Sequence, residues 1–308
     1  FYNKLVGQYL FMKRITLLML FILLSFHSLL AQNVKTSRGH ANGKTFKYNY
    51  LELSGAKKGI VILLPGSGEK LQSVLTKLAL SKQLVEQGFV VIVPEVHTLL
   101  YADEYSINIL NELLEAKVKE YDTKSVVLGG FSSGGAIATR YAEYLISKNV
   151  KFDLKGLFVV DPPLDLQRVY TAGIHMLQNC DGIIRRDGVS IKAQLENAFG
   201  GSPAEQIDQY TSNSSFTASI KDGGNAKFLL NLPIRLYSEP DLDFVKNNYC
   251  NKLEKADINA ADLEALHEYL LKSGNNRCEY ITTSGRGFHS WNIIEPNNCI
   301  EWIIKVSS

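Results

Sequence analysis

Two uninterrupted apolar runs, Gly59-Ile-Val-Ile-Leu-Leu64 and Phe89-Val-Val-Ile-Val-Pro94, contain no charged side chain. Such runs are expected of strands buried on both faces. Between them Leu71, Val74, Leu75, Leu78 and Val85 recur at helical spacing, and Gly88 stands where a C-cap glycine belongs. Ile107, Ile109, Leu110, Leu113, Leu114 and Val118 mark the apolar side of a helix over residues 105–121. Further buried strands are predicted at 125–128, 156–160, 232–237 and 280–283. A helix over 260–272 lies between the last two, with Asn259 and Asp262 spaced as in an N-terminal capping box. A final helix ends near 300–306. Upstream, residues 44–53 alternate in polarity and predict one or two edge strands.

Strands that alternate with helices imply an α/β fold, a mainly parallel sheet covered by helices on both faces. Residues 162–231 break the pattern. They hold no buried-strand run, only polar helix-compatible pieces and loop tracts such as Thr211-Ser-Asn-Ser-Ser215. A structureless loop of that length does not suit a compact domain, so the segment is expected to be an inserted helical cap.

The length of 308 residues suits one large domain of this kind. The first 31 residues read differently. From Met12 the chain runs Met-Lys-Arg, then an almost apolar stretch from 15 to 30, then Ala31-Gln32. A basic start, an apolar core and a small residue describe a secretory signal peptide cut after Ala31. A membrane anchor is the alternative, but the run is short and Ser25, His27 and Ser28 interrupt it. The expected catalytic domain therefore covers 32–308, with export to the periplasm or medium and no stable membrane anchor after cleavage. Loss of Lys4, Lys13 and Arg14 leaves 30 basic against 31 acidic residues, which removes the electrostatic motive for a nucleic-acid partner.

Cys180, Cys250, Cys278 and Cys299 all follow the leader. Disulfides suit an oxidising compartment, and three pairings are open; buried free thiols are the other expectation. None has the spacing of a zinc ligand, so no metal is expected.

The chemistry centres on Gly130-Phe-Ser132-Ser-Gly134, which follows a β-branched run and precedes a small-residue helix. A G-x-S-x-G turn between strand and helix exposes its serine as a nucleophile. Serine needs a base, and the histidines after the leader are His40, His97, His175, His267 and His289. His40 falls in an expected mobile stretch, His175 in the cap and His267 among helix leucines; His97 follows a strand and is a lesser candidate. His289 lies in Ser284-Gly-Arg-Gly-Phe-His-Ser290, directly beyond the last strand, where active-site loops of a parallel sheet gather. The orienting carboxylate is expected from Ser238-Glu-Pro-Asp241-Leu-Asp243, with Asp241 preferred, Asp243 and Glu239 next and Asp161 outside them. Backbone N–H groups of Ser67 and Ser133 are expected to form the oxyanion hole. The Gly66-Ser67-Gly68 loop fails the dinucleotide fingerprint at Leu71, and there is no Walker sequence, so no cofactor is expected.

Ser132, Asp241 and His289, in that order, resemble the α/β-hydrolase superfamily from Gly59 onward. Gly129-Gly-Phe-Ser-Ser-Gly-Gly135 and Gly200-Gly-Ser-Pro203, with Tyr210 and Ser214-Ser215, resemble its carboxylesterase, dienelactone-hydrolase and prolyl-oligopeptidase-like branch. Pro65-Gly66 replaces the usual His-Gly, and Ser238 the usual glycine before the acid. The resemblance implies an exported serine hydrolase of small-molecule esters, with an acyl or aminoacyl peptidase as the alternative and a non-catalytic binding protein as the reading from another class. Arg168, Arg185, Arg186 and Lys192 of the cap would either receive an anionic substrate or form a solvated face.

Overall fold

The computed structural model describes residues 33–150 and 152–308; the proposed leader lies outside them. Eight strands form one sheet in the order β1-β2-β4-β3-β5-β6-β7-β8. These are β1 (Lys35–Ala41), β2 (Lys44–Leu51), β3 (Gly59–Leu64), β4 (Phe89–Pro94), β5 (Ser125–Phe131), β6 (Asp153–Val160), β7 (Ile234–Ser238) and β8 (Cys278–Thr282). β1 pairs with β2 and β2 with β4 antiparallel, and the remaining five pairings are parallel.

The apolar runs are buried as expected. Every residue of β3 and β4 is buried, and side chains alternate between two cores. Ile60, Ile62 and Leu64 face the core beneath α3 (Glu104–Tyr121), α4 (Ser133–Ser147) and α9 (Ala260–Lys272). Val61 and Leu63 face the other core, built with α1 (Leu71–Lys77), α2 (Ala79–Glu86) and α10 (Pro296–Ser307). Each fully buried aliphatic chain contributes roughly 1.5–3 kcal/mol, so both faces of the central strands hold the rim in place.

Three details differ from the sequence expectations. β1 is a strand with an exposed, mostly polar face, and Asn42-Gly43 closes the β1–β2 hairpin with both residues at positive φ. His40 therefore sits in a strand, beside Thr45 Oγ1 at 3.2 Å. The helix expected over 71–85 is broken at Leu78, which is extended; Ser81 Oγ donates to Val74 O across the break. Asn259 makes no capping bond, because its side chain donates to Asp161 O and accepts from Arg168 Nη2 instead, and Asp262 is drawn to Arg168 and to the Leu164 and Asp165 amides.

Residues 162–231 contain α5 (Leu166–Asn179), α6 (Gly182–Phe199), α7 (Ile207–Asn213) and a 3-10 turn, Gly224–Leu229, and no strand. A disulfide joins Cys180, at the end of α5, to Cys250, just after α8 (Leu242–Asn248). Cys278 and Cys299 are buried free thiols. No helix among the described residues is long and apolar enough to cross a membrane.

Candidate active site

Ser132 joins β5 to α4 with φ 53° and ψ −126°, a conformation that L-residues adopt only when the surroundings impose it. The surroundings are backbone. A Cβ on Gly130 would lie 2.4 Å from Gly134 O, and one on Gly134 would lie 2.3 Å from Leu64 O. Only glycine fits either position, so the motif is a steric requirement of the turn. Ser132 N donates to Val160 O at 2.8 Å, which ties the turn to β6.

Strand register then decides which side chains meet. Phe131 pairs with Val160, and Val160 with Tyr237. The next residues along the rim are thus Ser132, Asp161 and Ser238. Neighbouring strands are about 4.8 Å apart, which leaves Asp161 one strand from Ser132. Asp161 is itself turned inward at φ 47° and is 4% exposed.

His289 spans the gap. Its Nε2 is 3.0 Å from Ser132 Oγ, and its Nδ1 is hydrogen-bonded to Asp161 Oδ2. A carboxylate accepts only, so Nδ1 carries the proton and Nε2 is left to accept from the serine hydroxyl. The Phe131 ring lies 4.6 Å from the imidazole, centroid to centroid. Asn259 Nδ2 donates to Asp161 O at 3.0 Å and fixes the turn.

Asp241, the expected acid, does something else. It lies beyond β7, two strands from Ser132, and its Oδ1 accepts from Phe244 N at 2.8 Å as the N-cap of α8. Asp243 falls inside that helix. Glu239 shapes the histidine loop. Its carboxylate accepts from Thr283 Oγ1 (2.9 Å), Arg286 N (2.8 Å), Gly287 N (3.1 Å) and Phe288 N (3.0 Å). Burial works against the charged form, yet these donors outweigh it and hold Glu239 below the usual carboxylate range. The loop they shape places Phe288 at φ 28° immediately before the histidine.

The other histidines stand apart from this cluster. His97 pairs with Asp103 at 2.6 Å and stacks on Tyr105, His175 pairs with Asp257 at 2.7 Å, and His267 packs near Tyr280. Ser67 lines the same cavity as Ser132 and His289. Ser133 is the first residue of α4, whose first-turn N–H groups have no acceptor within the helix.

No family model matches the sequence, and no curated sequence matches it. Solved structures do match. The MPT51 protein (FbpC1) of Mycobacterium tuberculosis is 12% identical with a TM-score of 0.62, covering 90% of this chain and 98% of that one. One of two fungal esterases from Rhizomucor miehei is 12% identical with a TM-score of 0.61, covering 92% and 88%. A hyperthermophilic esterase from Pyrobaculum calidifontis is 16% identical with a TM-score of 0.57, covering 92% and 87%.

The chain has the α/β-hydrolase fold.

Within this hydrolase fold the serine opens into a cavity of about 450 Å³. Its apolar wall includes Val169 and Met176 of α5, Ile184 and Ile191 of α6, Val245 of α8 and Phe288. Arg168 also lines it, but its guanidinium is committed: Nη2 donates to Asp262 at 2.8 Å and Asn259 at 3.2 Å, Nε to Asp262, and Nη1 to Ala256 O at 3.0 Å. Lys192 is paired with Glu196, and Arg185 and Arg186 are exposed and do not line the cavity. Asp187 does line it, and partial burial pushes its carboxyl up while Arg186 acts the other way. The cationic side chains of the 162–231 segment thus leave no free anion site in the wall. Among the described residues no group of three or more metal-ligating side chains occurs.

Proposed function

We propose that the protein is an exported serine hydrolase that cleaves carboxylic esters through an acyl-enzyme. The observation that carries this is His289, within hydrogen-bond reach of both Ser132 and Asp161. Ser132 Oγ attacks the carbonyl as His289 Nε2 takes its proton, and Asp161 stabilises the resulting imidazolium. The N–H groups of Ser67 and Ser133 receive the developing oxyanion. His289 then protonates the leaving alkoxide, and in the second half it activates water against the acyl-enzyme. The helical segment 162–231 acts as the cap over this site.

That two of these structural neighbours are esterases supports an ester substrate as an analogy of fold. The committed Arg168 and the cavity-lining Asp187 favour substrates whose acyl and alcohol groups carry no negative charge. Export is supported by the leader-like N-terminus and fits the Cys180–Cys250 disulfide.

A fluorophosphonate probe tests the reading. The protein from Gln32 onward should be labelled on the peptide that contains Ser132, and Ser132→Ala should take no label. Equal labelling of that variant would refute the assignment. A panel of p-nitrophenyl esters and aminoacyl arylamides should then show turnover of the esters; turnover of arylamides alone would make it a peptidase.

A further inference from the structure

Two loops must be held in register for such a reaction: the 65–68 loop that would bind the oxyanion and the 284–290 loop that brings the base. Glu69 touches both. Its Oε2 accepts from Gly66 N at 2.7 Å and from Trp291 Nε1 at 3.1 Å. Glu69 N donates back to Gly66 O at 3.1 Å, which closes a tight turn around Ser67. Trp291 follows His289 by two residues, is 8% exposed, and packs on Phe131 at 5.6 Å. Phe131 packs on His289 in turn.

We infer that Glu69 is a positioning residue that locks the oxyanion loop to the histidine loop through Trp291, a role that rests on the ester-hydrolase reading above. Gly66 is buried and has no room to shift towards the sheet, because a Cβ there would lie 2.7 Å from Phe131. Its N–H therefore needs an acceptor on the loop itself. Without one, the 65–66 peptide is free to rotate about the Gly66 backbone, and the turn that aims Ser67 N–H loosens. The indole N–H, also taken by Glu69, loses its partner in the same event, so the base and the oxyanion donor loosen together.

Both donors converge on one oxygen, which separates the variants. Glu69→Gln can present its amide oxygen at that point and should keep kcat within about threefold. Glu69→Ala removes both bonds and should lower kcat by about 10²-fold with KM little changed, the scale of a displaced oxyanion donor. Trp291→Phe removes one bond, and its loss should not add to that of Glu69→Ala. All values are taken per active site titrated with fluorophosphonate, alongside thermal unfolding. Affinity for a trifluoromethyl ketone should fall in parallel with kcat/KM. A purely structural role would lower the melting temperature and the number of titrated sites, leave kcat per site unchanged, and overturn the inference. Equal effects of the Gln and Ala variants would also overturn it. Wild-type protein that takes no fluorophosphonate and hydrolyses no ester would instead remove the reading beneath it.

Discussion

Exchanging Asp161 for asparagine tests the proposed orienting carboxylate with little disturbance of the fold. Asp161 sits at φ 47°, a region that asparagine shares with aspartate at little cost. Its backbone bonds to Tyr237 O and from Asn259 do not use the side chain. The new amide can donate to His289 Nδ1, which would move the ring proton to Nε2. That atom, 3.0 Å from Ser132 Oγ, would then be a donor and unable to accept the serine proton. The wrong tautomer in a serine triad costs about 10⁴ in kcat, or about 5 kcal/mol of barrier. Asp241→Asn is the control, because asparagine caps a helix as well as aspartate; its kcat/KM should stay within about threefold. Hydrolysis of p-nitrophenyl acetate, normalised to fluorophosphonate-titrated sites, measures both. The geometry would be refuted by the reverse pattern, with Asp161→Asn active and Asp241→Asn dead.

Glu239 makes the histidine loop acid-sensitive. Its folded pKa lies below the ordinary glutamate value of about 4.5, so the stabilisation is fully present above about 4.5 and is lost as pH falls through the folded value. Glu239→Gln should lose activity at neutral pH and show a smaller stability deficit against wild type as pH drops below 4.5, followed by denaturant titration. Glu143 works the other way. It is fully buried beside Arg140, and burial raises its pKa well above 4.5. The folded state then keeps a proton that the unfolded chain releases, and stability falls as pH rises above 4.5 towards the folded value. Glu143→Gln should flatten that decline in melts from pH 5 to 9. The Cys180–Cys250 bridge spans 70 residues, so Cys250→Ser should cost about 4 kcal/mol by loop-closure entropy. Cys278 and Cys299, both pushed up to about 12 by burial, should resist a thiol reagent at pH 8 until the protein unfolds.

What could be read from the chain follows the range of the physics involved. The elbow is legible because its glycines answer to atoms a few residues away, Gly130 to Gly134 and Gly134 to Leu64. The central strands are legible because burial on both faces forbids charge. His289 is legible because a short loop beyond the last strand must reach the rim. Asp161 and Asp241 both follow strands and stand beside prolines, so local pattern does not separate them. The difference is that β6 and not β7 pairs with β5, a non-local fact. β1 is not legible from its pattern, because its exposed, polar face hides its alternation, and only Asn42-Gly43 signals the hairpin. The roles of Glu69 and Glu239 depend on backbone amides that come together only after folding.

The contact between Gly134 and the carbonyls of Leu64 and Pro65, 2.3 and 2.4 Å from where a Cβ would stand, has a practical side. The helix that follows Ser132 and the strand that leads into the 65–68 loop rest directly on each other's main chains. No side-chain choice can adjust one without displacing the other, so random variation at this seam should yield only inactive protein. The helices α5 and α6 supply cavity wall through side chains. Retuning of substrate range, by selection or by design, belongs there.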